Sequence, residues 1–185
     1  MYRNLTKGER QLASLIFKDA INYDKIRIYN RHWLFLPKSQ IAMTPCGHMY
    51  FPKASYEPDF SRAIDAKKQW FIHEIAHVWQ YQLGYPVLWA GAMQVLKGGY
   101  IRTIKDQVAA YYFDPTREPI RTQLAQFNME QQADIIAFYF AFHYLNKTRY
   151  SWLSSFFNRI LAEFLHNPKQ KKLLPKNNGI DWPEL

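Results

Sequence analysis

The spacing of apolar and polar positions predicts a chain built mostly of helices. Thr6 and Glu9 fit a capping box, and apolar residues then recur at helical spacing, so a first helix is expected from about Thr6 to Ile21. The same periodicity predicts a helix over about 61–83 that ends at Gly84, a long helix over about 127–146, and a last amphipathic helix over about 150–166.

Short alternating segments near the N-terminus predict strands at 25–29, 40–44 and 48–52, the last two flanking a Pro45-Cys46-Gly47 turn. Residues 85–127 mix short helical patterns with proline and glycine breakers, and neither a repeat nor a linker divides the chain. We therefore expect one domain over 1–185, of class α+β, mostly helical with a small antiparallel sheet near the N-terminus. A basic tail from about residue 168 is expected to be loosely held.

Composition narrows the class of protein. In 185 residues, 48% are hydrophobic and 17% aromatic, which excludes a disordered chain and predicts a real core. The single cysteine, Cys46, cannot form an intrachain disulfide, and no role is assigned to it. The longest apolar stretch, Ala133 to Leu145, is too short to span a bilayer. Lys7, Glu9 and Arg10 interrupt any signal-like start, so synthesis in a cytoplasm is expected.

The motif H-E-x-x-H lies inside the helix predicted over 61–83. At about 100° per residue, His73 and His77 are offset by only about 40°, so both can bind one tetrahedral Zn²⁺ from the same face. Glu74 lies one step round the helix, where it can reach a water on the metal. A carboxylate in that place can remove a proton from the water and later protonate a leaving amine.

A third ligand is expected on the long helix over 127–146. The metzincin positions after His77 are Gln80 and Leu83, which excludes that subclass. Glu130 and Asp134 share one face, so Glu130 can complete the metal shell while Asp134 accepts a hydrogen bond from a ligating imidazole. His143 lies about 140° from Glu130 and is instead expected to be a buried core histidine.

The pairing of H-E-x-x-H with a downstream E-x-x-x-D resembles the gluzincin metallopeptidases over about residues 70–140. The distance from His77 to Glu130 is longer than in compact members, and Met129 separates Asn128 from the glutamate. The resemblance implies a zincin-like fold with a zinc site. In that site His73, His77 and Glu130 would be the three ligands, Glu74 the general base, and Asp134 the carboxylate behind one ligand.

Three longer segments, at 5–33, 71–84 and 129–135, are similar to bacterial Vgr-related proteins, predicted zinc peptidases found with type VI secretion and polymorphic-toxin systems. This resemblance implies an effector that a VgrG-like secretion spike carries into a target cell, with an immunity protein in the producer. A housekeeping cytoplasmic peptidase is the alternative, because the zinc motifs alone fit it equally well.

Two other function classes are alternatives to a peptidase. A metal-stabilised domain without turnover would need the ligands but not Glu74. A net charge of +9 permits nucleic-acid binding, but the basic residues are scattered except for a cluster in the tail, Lys169, Lys171, Lys172 and Lys176. The charge could also attract anionic cell wall, so the expected substrate is a protein or a peptidoglycan peptide.

The segment before Glu130 could supply a phenol that stabilises the oxyanion of a peptidase reaction. Tyr111 and Tyr112 both lie there, and Tyr112 is taken as the candidate catalytic residue beside Glu74. Core packing is the competing interpretation for either ring.

Overall fold

The computed structural model of the chain describes residues 2–33, 41–117 and 119–181. The helices are α1 Lys7–Phe17, α2 Asp65–Gln82, α3 Val87–Leu96, α4 Met129–Tyr144, α5 Ser154–Ile160 and α6 Ala162–His166. Short 3-10 turns lie at Tyr23–Lys25, Phe60–Arg62, Leu124–Gln126, Thr148–Leu153 and Lys171–Leu173. The strands are β1 Tyr2–Arg3, β2 Ile28–Asn30, β3 Met49–Phe51, β4 Thr103–Ile104 and β5 Gln107–Val108.

Helices α2 and α4 form the centre of the core. Every residue of α2 from 71 to 80 is buried, so this helix is surrounded on all sides rather than packed along one stripe. Helix α4 meets it through small side chains, since Ala133, Ala137 and Ala141 are all at most 1% exposed. Close approach of the two helix axes brings the side chains on their facing sides into direct contact.

The predicted fold class is confirmed: the chain is α+β and mostly helical, with a small sheet near the N-terminus. The sheet itself is mixed, because β2 pairs antiparallel with β1 and parallel with β3. The two strands predicted at 40–44 and 48–52 pair with each other only through one antiparallel bridge, Met43 to Tyr50. Residue 40 lies outside the described residues. The intervening turn needs Gly47, whose φ is +71° and whose added Cβ would lie 2.6 Å from the Tyr81 ring.

Helix ends differ from the predicted ones by a few residues. The Thr6 capping box with Glu9 is confirmed. The predicted helix over 61–83 starts only at Asp65, after a 3-10 turn, and the predicted helix over 150–166 is divided into a 3-10 turn, α5 and α6. No helix among the described residues is long and apolar enough to span a membrane.

The expectation of a loosely held tail is wrong for the described part of it. Leu173 is buried, and the indole Nε1 of Trp79 donates to the carbonyl oxygen of Pro168 at 2.7 Å. Two tail lysines form ion pairs inside the chain, Lys169 with Asp19 and Lys172 with Glu163. The segment is therefore part of the folded domain.

The prediction that His143 is a buried core histidine is wrong. The residue is exposed and packs its ring against Tyr139, with 4.2 Å between ring centroids, rather than lying in the core. Its position about 140° round α4 from Glu130 turns it away from the buried face of the helix.

Candidate metal centre

The sequence before α4 places Glu130 in the first turn of that helix. Asn128 caps the helix, because its Oδ1 accepts from the backbone N–H groups of Glu130 and Gln131 at 2.9 Å each. Its Nδ2 donates to the carbonyl oxygens of Ala110 and Gly179, which ties the cap to two other segments. This capping geometry explains why Met129 separates Asn128 from Glu130, because an N-cap side chain accepts from the second and third helical residues.

Three ligand atoms from α2 and α4 form a nearly equilateral triangle. The Nε2 atoms of His73 and His77 are 3.2 Å apart, and Glu130 Oε2 lies 3.2 Å and 3.1 Å from them. Ligands at about 2.0 to 2.1 Å in a tetrahedral zinc site are about 3.3 Å from one another. The triangle thus has the dimensions of one face of such a site, and all three residues are buried.

Hydrogen bonds on the outer side of both rings direct their free electron pairs inward. His73 Nδ1 lies 2.8 Å from Asp134 Oδ1, and His77 Nδ1 lies 2.9 Å from Gln80 Oε1. Both partners are acceptors, so each Nδ1 carries a hydrogen, and in its neutral form each ring offers the Nε2 lone pair. Two lone pairs and a carboxylate oxygen then converge, a donor set that fits a metal cation.

The orientation of the Gln80 amide follows from a chain of two buried amides. Gln132 Nε2 donates to the backbone carbonyls of Leu124 and Leu173, which leaves its Oε1 to accept from Gln80 Nε2 at 3.1 Å. Gln80 Oε1 is then left for His77. We call Gln80 and Gln132 the amide chain; both are fully buried, and the chain links His77 to the C-terminal segment.

The two histidines and Glu130 shift one another's pKa values toward the charged forms. Burial lowers the pKa of His73, but its contacts with Asp134 and Glu130 outweigh burial and hold that pKa well above the ordinary value. Burial likewise lowers and Glu130 raises the pKa of His77, with a net increase. For Glu130 itself, burial raises the pKa, yet the two histidines bring it far below the ordinary value. The group therefore strongly favours positive charge at its centre.

Glu74 stands beside this triad and has its own donors. Its Oε2 accepts from Thr44 Oγ1 at 2.6 Å and its Oε1 accepts from the Trp70 indole N–H at 3.2 Å. The side chain is only 3% exposed, and it borders the same cleft as His73, His77 and Glu130. The carboxylate is thus fixed next to the triad without being a member of it.

Two tyrosines contact the site, and neither is Tyr112. Tyr100 donates its hydroxyl hydrogen to Glu130 Oε1 at 2.5 Å, which leaves Oε2 for the histidine side. The Tyr111 ring lies 5.8 Å from the His73 ring and borders the cleft. Burial raises the pKa of both phenols, so both remain neutral hydrogen-bond donors.

The structure does not bring Tyr112 to this cluster. Its ring packs with Ile104 and Ala109 of a separate apolar group, where Lys105 Nζ lies 5.9 Å from the ring centroid. Tyr111 ends a turn in which its N–H donates to the carbonyl oxygen of Val108 at 3.0 Å, and the chain leaves this turn with Tyr111 facing the site and Tyr112 facing away. The candidate catalytic role of Tyr112 is therefore withdrawn.

Four residues at the site were not predicted from the sequence: Thr44, Trp70, Gln80 and Tyr100. Helical spacing could have found two of them, since Trp70 precedes Glu74 by one helical turn and Gln80 follows His77 by three residues. Thr44 and Tyr100 come from loops far away in sequence, and no local pattern indicates them.

Taken together, the fold and site define a mostly helical α+β domain with a buried His-His-Glu cluster of the kind that can hold a metal ion. No established family profile matches the chain. It is 33% identical over 139 residues to the type VI secretion system spike protein VgrG2b of Pseudomonas aeruginosa. That alignment covers 75% of this chain but only 13% of VgrG2b.

Among solved structures, the effector domain of Pseudomonas aeruginosa VgrG2b matches with a TM-score of 0.62 and 33% sequence identity, covering 82% of each chain. The chain belongs to the family of the VgrG2b effector domain. The Vgr-related part of the resemblance noted in the sequence is thereby confirmed.

Proposed function

We propose that the chain is a zinc-dependent metallopeptidase of the gluzincin type. The observation that carries this proposal is the triangle of His73, His77 and Glu130 with Glu74 held separately beside it. When bound, zinc supplies a Lewis acid and lowers the pKa of a coordinated water to about 7. A site that only stabilised the fold would have no use for a carboxylate fixed next to the ligands by two donors of its own.

The chain's own residues have distinct roles in this proposal. Glu74 takes a proton from the attacking water and gives one to the leaving amine, and Thr44 and Trp70 hold its two oxygens in place. Asp134 keeps His73 in the ligating tautomer. Tyr111 replaces Tyr112 as the phenol that donates to the developing oxyanion, because it is neutral and borders the cleft.

We further propose that the chain acts as a type VI secretion effector. Family membership supports this role, since the related solved structure is itself described as an effector domain. A VgrG-like spike would carry it into a neighbouring cell, where the substrate is a protein or a peptidoglycan peptide, and an immunity protein would protect the producer. Because the chain spans 13% of VgrG2b, carrier, substrate and immunity protein are all part of the proposal.

The catalytic proposal is tested by metal analysis and peptidase assay of the wild-type chain and of Glu74→Gln. The amide keeps the shape of the carboxylate, so the variant should retain one zinc per chain and melt at the wild-type temperature. Its kcat should fall by about 10²- to 10⁴-fold, the usual contribution of a general base. Near-normal kcat in the variant would show that Glu74 is not the base.

The effector proposal is tested by expressing both chains in the cytoplasm or the periplasm of a naive bacterium. The wild-type chain should be toxic in at least one compartment, and Glu74→Gln should be harmless in both. Equal growth with zinc-loaded, soluble protein in all four strains would contradict the effector role while leaving the peptidase proposal intact.

A further inference from the structure

A cleft of about 710 Å³ opens beside the triad, and one of its walls is a face of α3. Helix α3 contains no charged residue. It is fixed from behind by Ala90, which packs with Met129, and by Gln94, which donates to Asn178 Oδ1 at 3.1 Å. These contacts hold α3 from the side away from the cleft and leave its other side open to the cleft.

The cleft face of α3 is apolar and has a gap at its middle. Leu88, Ala92 and Val95 follow one another at four- and three-residue spacing, so they lie on one side of the helix. Leu88 is 42% and Val95 54% exposed, which is a large apolar surface for residues on a rigid helix. Ala92 lies between them and is too small to fill the space, leaving room for an incoming side chain. Met43 and Ile41 border the cleft from the other wall.

The charges around the cleft contrast with the charge of the whole chain. The chain carries +9, but the charged side chains among the described residues that border the cleft are Glu74, Glu130, Asp134 and a single cation, Arg149. With Zn²⁺ in the triad, the two charges of the ion and the one of Arg149 balance the three carboxylates, so the cleft is close to neutral while the chain as a whole is positive. The positive surface that could attract anionic cell wall is thus located elsewhere on the molecule.

We propose, on the basis of the metallopeptidase function, that α3 selects an extended protein segment with a large apolar side chain such as Leu, Met or Phe. That side chain enters the gap over Ala92 between Leu88 and Val95. The stem peptide of peptidoglycan carries only small or charged side chains, so it offers no large apolar side chain for this gap. Of the two substrate classes compatible with the sequence, the cleft favours protein.

The decisive variant is Ala92→Phe, which fills the gap and changes no residue of the triad. For peptides with Leu or Phe at the selected position, kcat/KM should fall by about tenfold or more, the scale on which apolar pockets discriminate side-chain size. Peptides with Gly at that position should change by less than about twofold. Trp89→Ala is the matched control, because Trp89 is on the same helix, 66% exposed and outside the cleft, and it should leave both substrates unaffected.

Leu88→Ala is a second variant that adds no bulk to the helix. It should weaken the preference for Leu over Gly, whereas Ala92→Phe should abolish it. Loss of activity on all peptides in Ala92→Phe, with Leu88→Ala keeping the full wild-type preference, would overturn the proposal.

Binding to the zinc-loaded Glu74→Gln chain separates this inference from the peptidase proposal. Fluorescent peptides differing only in Leu, Gly or Asp, and a labelled stem peptide, are titrated against this variant with and without Ala92→Phe. The Leu peptide should bind most tightly and lose its advantage in the double variant. Equal or tighter binding of the stem peptide would overturn the inference. Absence of any Glu74-dependent cleavage by the wild type would instead overturn the peptidase function.

Discussion

The two histidines of the site are oriented by different kinds of partner. His73 is held by the carboxylate of Asp134, whose side chain is 22% exposed and borders the cleft. His77 is held by the amide chain of Gln80 and Gln132, which is fully buried and ends on the backbone of Leu173. A carboxylate supplies charge and raises the basicity of the ring, while a neutral amide supplies only direction.

This difference separates metal affinity from stability. Changing Asp134 removes the partner of one polar atom, His73 Nδ1, at the edge of a cleft. Changing the amide chain removes hydrogen bonds from groups inside the core. We therefore expect Asp134 to act mainly on the metal and Gln132 mainly on the fold.

The largest effect should come from Glu130→Ala, since Glu130 Oε2 contacts both histidines. Loss of a ligand should lower zinc affinity by more than the roughly 100-fold upper range seen for residues behind a ligand. Chelator competition measures this affinity. Tyr100→Phe is the comparison, because it removes only the hydrogen bond to the other carboxylate oxygen and should lower zinc affinity by no more than that range. Full zinc occupancy in Glu130→Ala would contradict the proposed ligand set.

A smaller effect is expected for Asp134→Ala. Losing the partner of His73 Nδ1 should lower zinc affinity or activity by about 10- to 100-fold. Asp134→Asn retains an acceptor oxygen, so most of this loss should be recovered. The free energy of unfolding of the metal-free chain, measured in denaturant, should fall less in either variant than in Gln132→Leu, because the lost contact lies at the edge of a cleft. Unchanged zinc affinity and activity in Asp134→Ala would mean that the contact with His73 has no role in metal binding.

The smallest effect on the metal should come from Gln132→Leu, which breaks the amide chain one residue away from His77. Zinc affinity should fall less than tenfold, below the range expected for a direct partner of a ligand. The carbonyl of Leu173 loses its donor, while that of Leu124 keeps the backbone N–H of Phe127, so the unfolding free energy should fall by roughly 1 to 3 kcal/mol for the one unsatisfied group. If Gln132→Leu weakened zinc more than Asp134→Ala, the contrast between the two partners would be reversed.

The sequence predicted the parts of the site that depend on helical periodicity. The motif at 73–77 and the pair Glu130 and Asp134 are each within one helix, and 3.6 residues per turn places them on shared faces. Contacts that join distant segments were not predictable in this way. Thr44 reaches Glu74 from a loop 30 residues away, a relation that only the tertiary fold creates.

The remaining errors have similar causes. Tyr111 rather than Tyr112 faces the site, and no sequence pattern tells which of two adjacent residues at the end of a turn points inward. The tail looked loose because its lysines dominate its composition, yet its backbone carbonyls are what the core uses. Backbone acceptors carry no residue identity and so leave no trace in a sequence.

The hydrogen bond from Gln132 to Leu173 also bears on the order in which the domain is made. A ribosome synthesises His73, His77 and Glu130 well before it reaches residue 173, and the C-terminal segment emerges from the exit tunnel later still. Until that carbonyl arrives, one of the two acceptors that orient the amide chain behind His77 is missing. Nascent chains thus carry every ligand before they carry the last support of the site, and the support behind His77 is complete only once residue 173 has left the exit tunnel.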